Sequence, residues 1–316
     1  LDKIPIEFWK SLKKVFELCA GKGGFVLDII DRFMIGLQEV IPDEKLRRKT
    51  IVEECLYFND INPTNIFICK LLIDPYNEYE LNYNEGNTLD INIKDKWSVD
   101  NFDAIIGNPP YNKGKNANFY VKFMQYSYEN IIENGFNLFV VPNRFLIPKH
   151  RANTCLNQFQ VNHIVHTVTD FDVSTDIGYY FATKSNIVNN ENICCVFNDN
   201  QITNINLNIP TPTASNSLHY KNLSDKILLN SADKVNFIKC KKEELNAGEY
   251  IFIPRHWTRY ASSKPKGGKH IFNIIDDYGD DGRFIEVNET NKNNIIWYLS
   301  RSKIIRFITN NYASTV

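Results

Sequence analysis

The chain lacks the marks of several large classes of protein. No apolar run approaches the roughly 20 residues that a membrane-spanning helix needs, and no secretory signal opens the sequence. The seven cysteines form no Cys-x-x-Cys pair. Cys194 and Cys195 are adjacent, which suits neither a zinc knuckle nor an easy disulfide. They read as reduced thiols of a cytosolic chain. The six histidines make no metal-ligand pair on a predicted helix, so no metal is expected. There is no internal repeat and no low-complexity tract. With 43% apolar and 23% charged residues the chain is not disordered. A Pro-Cys nucleophile is missing, which excludes chemistry that must first activate a ring carbon covalently. No Asp…Glu-x-Lys nuclease pattern is present. The chain opens at Leu1 without a methionine, and the native N-terminus is expected upstream.

Net charge is −1, but it is unevenly spread. Residues 201–316 hold 16 Lys and Arg against 11 Asp and Glu. The totals of 36 and 37 leave 20 and 26 for residues 1–200. A less acidic second half is what a polyanion-binding half shows.

The first half alternates strand and helix signals. Strands are predicted at 14–19, 56–58, 102–106 and 136–141, with helices at 25–37, 63–73 and 118–133 between them. Pro63 suits a first helical turn, and Asn134-Gly135 reads as a helix stop. Two more strands are expected at 163–168 and 177–182. This rhythm predicts an α/β chain with a mostly parallel sheet and helices on both faces. Between 188 and 217 the pattern degrades into Asn, Thr and Pro, which places a domain boundary near 200. The expected domains are 1–200 and 201–316, the second mixed and not readable from pattern.

Three segments carry chemistry. Asn108-Pro109-Pro110-Tyr111 follows a buried strand, at the strand end where such folds bind ligands. The two prolines fix φ and remove two backbone donors. What remains is a rigid row of acceptors, the Asn108 side-chain oxygen and the Pro109 carbonyl, which matches the two N–H bonds of a planar amino group. Tyr111 offers a face for stacking. A plain structural turn would look the same in isolation.

Glu17-Leu18-Cys19-Ala20-Gly21-Lys22-Gly23-Gly24 is a glycine turn after the first strand. It lets backbone approach a ligand and opens a helix whose N-terminus faces it. It lacks the full dinucleotide spacing. Glu17 brings a carboxylate to a buried strand end, suited to a cationic group. Asp60 ends the next strand about 40 residues later, where it suits paired ribose hydroxyls or a helix cap. Ile61 lies beside it. In Asn84-Glu85-Gly86-Asn87-Thr88-Leu89, the amide of Asn87 suits reading a cofactor's adenine.

This ordered set resembles the amino-methyltransferases that modify DNA adenine, and its order resembles their gamma group, as found in restriction-modification systems and large DNA viruses. The resemblance covers about residues 5–185. It implies a Rossmann-like sheet binding S-adenosylmethionine, with methyl transfer to N6 of a flipped-out adenine. The cofactor contacts it implies are Glu17, Leu18, Cys19, Ala20, Gly21, Gly23, Asp60, Ile61, Asn87, Thr88 and Asn108. The catalytic set is Asn108, Pro109, Pro110 and Tyr111, with Phe171 as the second stacking aromatic and Tyr180 as its fallback. The resemblance also implies a cofactor-contacting segment upstream of the first strand, which is expected to be truncated or reduced because only about a dozen residues precede that strand in this sequence. Residues 201–316 would then recognise double-stranded DNA. There Arg255, Trp257 and Arg259 interleave basic and aromatic side chains, and Lys264, Lys266 and Lys269 form a basic loop. Any restriction endonuclease would be a separate partner. The expected location is the cytoplasm of a bacterial host, or a viral replication compartment. Alternatives left open are methylation of glutamine in a protein or of adenine in RNA, and a DNA-binding specificity protein with an inactive methyltransferase domain.

Overall fold

A computed structural model describes residues 1–112, 118–166, 177–196 and 202–208 in full. Beyond these it describes the backbone of three strands, 237–238, 249–254 and 282–287. Contacts divide the chain into two units, Leu1–Ile209 and Pro210–Val316. The division falls beyond residue 200 because a short strand, Ile202–Ile205, and Leu207 after it belong to the first unit.

The first unit runs β1 (Val15–Glu17), α1 (Gly24–Gly36), α2 (Glu44–Thr50), β2 (Leu56–Asp60), α3 (Pro63–Ile73), β3 (Asn82–Glu85), α4 (Ile93–Trp97), β4 (Phe102–Gly107), α5 (Tyr120–Asn130), β5 (Ile131–Pro142), α6 (Arg151–Leu156), β6 (Phe159–Val165), β7 (Ile177–Lys184), β8 (Ile193–Val196) and β9 (Ile202–Ile205). The nine strands make one sheet in the order β3-β2-β1-β4-β5-β7-β6-β8-β9. Neighbours from β3 through β5 are parallel. β7 is antiparallel to both β5 and β6. This is a Rossmann-like, doubly wound α/β sheet, and its strand order reverses between β1 and β4.

Side-chain alternation sorts the core into two layers. Val15 faces α1, whose buried Val26, Ile29, Ile30 and Phe33 recur at helical spacing, and the turn bearing Phe8 and Trp9. Phe16 faces the other way. It stacks on Phe102 at 5.0 Å between ring centroids and meets Trp97 of α4 edge-on at 5.3 Å. Both faces of the sheet are covered, as the sequence rhythm predicts.

One predicted boundary is corrected. The helix expected to 133 ends at Asn130, and the chain passes directly into β5. Asn134-Gly135 is not a helix stop. It lies in an irregularity of β5, where the register to β4 slips between Phe102↔Ile131 and Ala104↔Phe136, and Asn134 takes a φ of 64°.

The second unit is described only as an antiparallel sheet of β10 (Phe237–Ile238), β11 (Glu249–Pro254) and β12 (Gly282–Val287), in the order β10-β12-β11.

Candidate active site

The carboxyl ends of β2, β1 and β4 lie side by side, and each carries one of the predicted segments. Register pairs Glu17 with Phe58 on one side and with Ile106 on the other. The crevice outside this strand end is where open α/β sheets bind ligands.

Glu17 is fully buried. Its Oε1 accepts a bond from the Cys19 backbone N–H at 3.1 Å, while its Oε2 has no partner among the described residues. Burial pushes the carboxyl up to about 8. The Cys19 bond opposes that rise, and the charge of Asp60 adds to it. Leu18 is buried and donates its N–H to the Ile106 carbonyl at 3.2 Å. Cys19 is half-buried, and burial pushes its thiol up. Ala20 donates to the Asn59 carbonyl at 2.8 Å.

Gly21 and Gly23 have φ of 53° and 89°, a backbone region that disfavours other residues. A Cβ at Gly23 would also stand 3.3 Å from Cys69 Sγ. α1 then starts with no side chain capping it and no acid in its first turn. Its first N–H groups therefore have no side-chain cap among the described residues.

Asp60 holds this turn in place. Its Oδ2 accepts from the Gly21 N–H at 2.9 Å. Its Oδ1 accepts from the Asn62 N–H at 2.8 Å and from Asn65 Nδ2 at 3.1 Å. Ile61 is largely exposed. Asn87 is half-buried and engaged locally, accepting from the Leu89 N–H and donating to Asp90 Oδ2 at 2.9 Å. Thr88 is buried, and its hydroxyl donates to the Leu18 carbonyl at 2.7 Å.

Sequence reasoning missed two supporting residues. Asn59 is buried beneath the turn. Its Nδ2 donates to Thr88 Oγ1 at 2.7 Å, to the Gly86 carbonyl at 3.1 Å and to the Leu18 carbonyl at 3.4 Å. Its Oδ1 accepts from Asn84 Nδ2 at 2.8 Å. An amide inside an otherwise apolar strand was the available signal. The second is Gly107. A Cβ there would lie 3.0 Å from Glu17 Oε1 and 3.2 Å from the Leu18 side chain.

Asn108-Pro109-Pro110-Tyr111 leaves β4 directly after Gly107. Pro109 is buried and Pro110 exposed. The Tyr111 hydroxyl donates to Asn108 Oδ1 at 2.9 Å, and burial pushes that hydroxyl up to about 12. The Tyr111 carbonyl accepts from the Phe119 N–H at 2.9 Å, tying the segment to the start of α5. The structure therefore brings Glu17, the glycine turn, Asp60 and Asn108 to one strand end.

The aromatic candidates fare differently. Tyr180 is a core residue of β7, with its hydroxyl donating to Asn137 Oδ1 at 2.7 Å, so it presents no face to a ligand. Phe171 lies outside the described residues, as do Arg255, Trp257, Arg259, Lys264, Lys266 and Lys269.

No protein-family model matches the chain, and no curated protein sequence matches it. Among solved structures it is similar to a modification subunit of a putative type I restriction enzyme from Vibrio vulnificus YJ016. That match has 16% identity over 71% of this chain and 50% of the other, with a TM-score of 0.45. It is also similar to the M protein of type I restriction enzyme EcoKI, with 13% identity over 96% and 69% and a TM-score of 0.49. A third is a putative class I S-adenosylmethionine-dependent methyltransferase from Listeria monocytogenes, with 10% identity over 61% and 60% and a TM-score of 0.42. The chain spans half the length of the first of these.

Proposed function

We propose that this chain transfers a methyl group from S-adenosylmethionine to the N6 amino group of a flipped-out adenine in double-stranded DNA. One observation carries the reading: Asn108-Pro109-Pro110-Tyr111 stands against the end of β4, next to a buried Glu17 whose Oε2 is unpartnered.

The residues fit the cofactor. A buried carboxylate oxygen without a partner is costly unless a cation meets it, and the amino acid part of S-adenosylmethionine carries an ammonium group. Gly21 has nothing within 4 Å of where its Cβ would lie, so a ligand can come close to that backbone. Asp60 Oδ2 accepts one bond from the chain and retains a lone pair for a ribose hydroxyl. Asn87 is the candidate for the adenine. When bound, the cofactor supplies an electrophilic methyl group on sulfur.

The chain's own residues prepare the nucleophile. Asn108 Oδ1 and the Pro109 carbonyl accept the two N–H bonds of the target amino group. This draws the nitrogen lone pair out of ring conjugation, free for in-line attack. The Tyr111 hydroxyl gives up Asn108 Oδ1 when the base arrives, and the Tyr111 ring stacks on the base. A base inside a duplex must leave its stack to reach such a site. Phe171 is the second stacking face in this reading. Arg255, Trp257, Arg259, Lys264, Lys266 and Lys269 meet the duplex, and any restriction endonuclease is a separate chain.

Incubation with labelled S-adenosylmethionine and duplex DNA, followed by mass spectrometry of the hydrolysed nucleosides, tests the proposal. N6-methyladenine is expected. Label confined to protein glutamine or to RNA, or no transfer at all, would overturn it.

A further inference from the structure

The first half of the chain is acidic, with 20 basic against 26 acidic residues in 1–200, yet residues 134–169 contain no Asp or Glu. This stretch holds Arg144, Lys149 and Arg151. All three are exposed, and none makes an ion pair among the described residues.

Their position is set by β5. Gly107, the last residue of β4, pairs with Phe139, and β5 continues to Pro142. Three further residues carry the chain about 10 Å past the end of β4, on the side where Asn108 emerges. Arg144 lies in the turn that follows. That turn is fixed, because Phe145 is buried edge-on against Tyr180 and its carbonyl accepts from Asn153 Nδ2 of α6 at 2.8 Å. Arg151 opens α6. Between them His150 is held below its ordinary value by burial and by the nearby Arg144 and Arg151 charges. Arg144 also acts on the Tyr120 hydroxyl, one residue from Phe119, whose N–H holds Tyr111.

We infer that Arg144, Lys149 and Arg151 form a phosphate-binding rim, which grips the sugar-phosphate backbone flanking the extruded adenine beside Asn108. The inference rests on the reading of the chain as a DNA adenine methyltransferase. A polyanion approaching an acidic domain is held best where exposed cations have no ion-pair partner, and among the described residues this rim is such a place beside the catalytic strand end. Phosphate contacts here position the strand and carry no sequence information. The rim is therefore an anchor independent of residues 201–316.

The test is the salt dependence of duplex binding by the full chain, with S-adenosylhomocysteine affinity measured alongside. Each phosphate contact contributes about 0.9 to the slope of log K against log salt. The Arg144→Ala/Arg151→Ala variant should reduce that slope by about 2 and weaken binding by roughly tenfold at low salt, with S-adenosylhomocysteine affinity unchanged. Arg144→Lys/Arg151→Lys should keep the slope. If wild-type protein binds and methylates duplex while the alanine variant keeps both slope and affinity, the rim is wrong and the function stands. If wild-type protein neither binds duplex nor methylates it, the proposed function falls and the rim with it.

Discussion

Glu17 answers to two opposing demands, since the protein core favours its neutral form and a cationic ligand needs its charged one. Its carboxyl lies near 8 in the folded chain against an ordinary 4.5. The folded state therefore holds a proton that the unfolded state has lost between those values, and stability falls as pH rises from about 4.5 to about 8. Glu17→Gln keeps the neutral shape. It should flatten this dependence and stabilise the protein by about 1–3 kcal/mol at pH 8.5, read from thermal or urea unfolding. Wild-type affinity for S-adenosylhomocysteine should rise with pH up to about 8, with proton release visible as buffer-dependent enthalpy in calorimetry. A flat affinity would separate Glu17 from the ammonium group. In the proposed reaction, the demand on Asn108 falls on the chemical step. Asn108→Ala should slow single-turnover methyl transfer by roughly 10²-fold or more and leave cofactor affinity near wild type. Tyr111→Phe keeps the stacking face and removes only the hydroxyl that occupies Asn108 Oδ1, so its rate should stay within a few-fold. A Tyr111→Phe rate as low as that of Asn108→Ala would assign the hydroxyl a direct part in catalysis.

Between elements, the glycine turn is held by buried polar side chains rather than by apolar packing. Asn59 joins β1, β2 and the segment after β3 through its amide, and Asp60 joins the turn to the start of α3. Asn59→Ala leaves the Thr88 hydroxyl and the Gly86 carbonyl short of a donor and should cost about 1–3 kcal/mol. Added S-adenosylhomocysteine should recover less of the melting temperature than it does for wild type. β3 was passed over because its residues, Asn82–Glu85, are mostly polar and none is fully buried. β1, β2, β4 and β5 were legible because each carries a buried apolar run, and Pro63 marked its helix to the residue. The end of α5 was not. An Asn-Gly pair serves a helix end and a kinked strand equally, because both need backbone that few other residues tolerate. β9 was passed over because it is an edge strand, mostly exposed, with only Ile205 buried. At the site, residue types picked out Glu17, the glycine turn, Asp60 and Asn108, which the structure brings to neighbouring strand ends. They could not reveal that Asp60 and Thr88 are also bonded within the chain, since those bonds join segments distant in sequence.

For the whole molecule, the first unit ends at Ile209. Leu207 is fully buried, donates to the Asn190 carbonyl at 3.0 Å and accepts from Asn153 Nδ2 at 3.0 Å. A fragment of residues 1–209 should unfold cooperatively and bind S-adenosylhomocysteine like the full chain, with duplex affinity reduced to the share carried by Arg144, Lys149 and Arg151. A fragment of residues 1–200 should melt lower, because it strips β9 from β8 and opens the Leu207 site. Equal melting temperatures would move the boundary back to 200. The antiparallel β7 has a consequence for how such a chain is made. β5 and β6 both leave the ribosome before β7, yet in the finished sheet they do not touch, because β7 lies between them. A nascent chain that pairs β6 directly onto β5 has closed the sheet one strand too early and must reopen it to admit residues 177–184. Among the nine strands of this sheet, β7 is the one inserted between two made before it, which makes that insertion a kinetic trap.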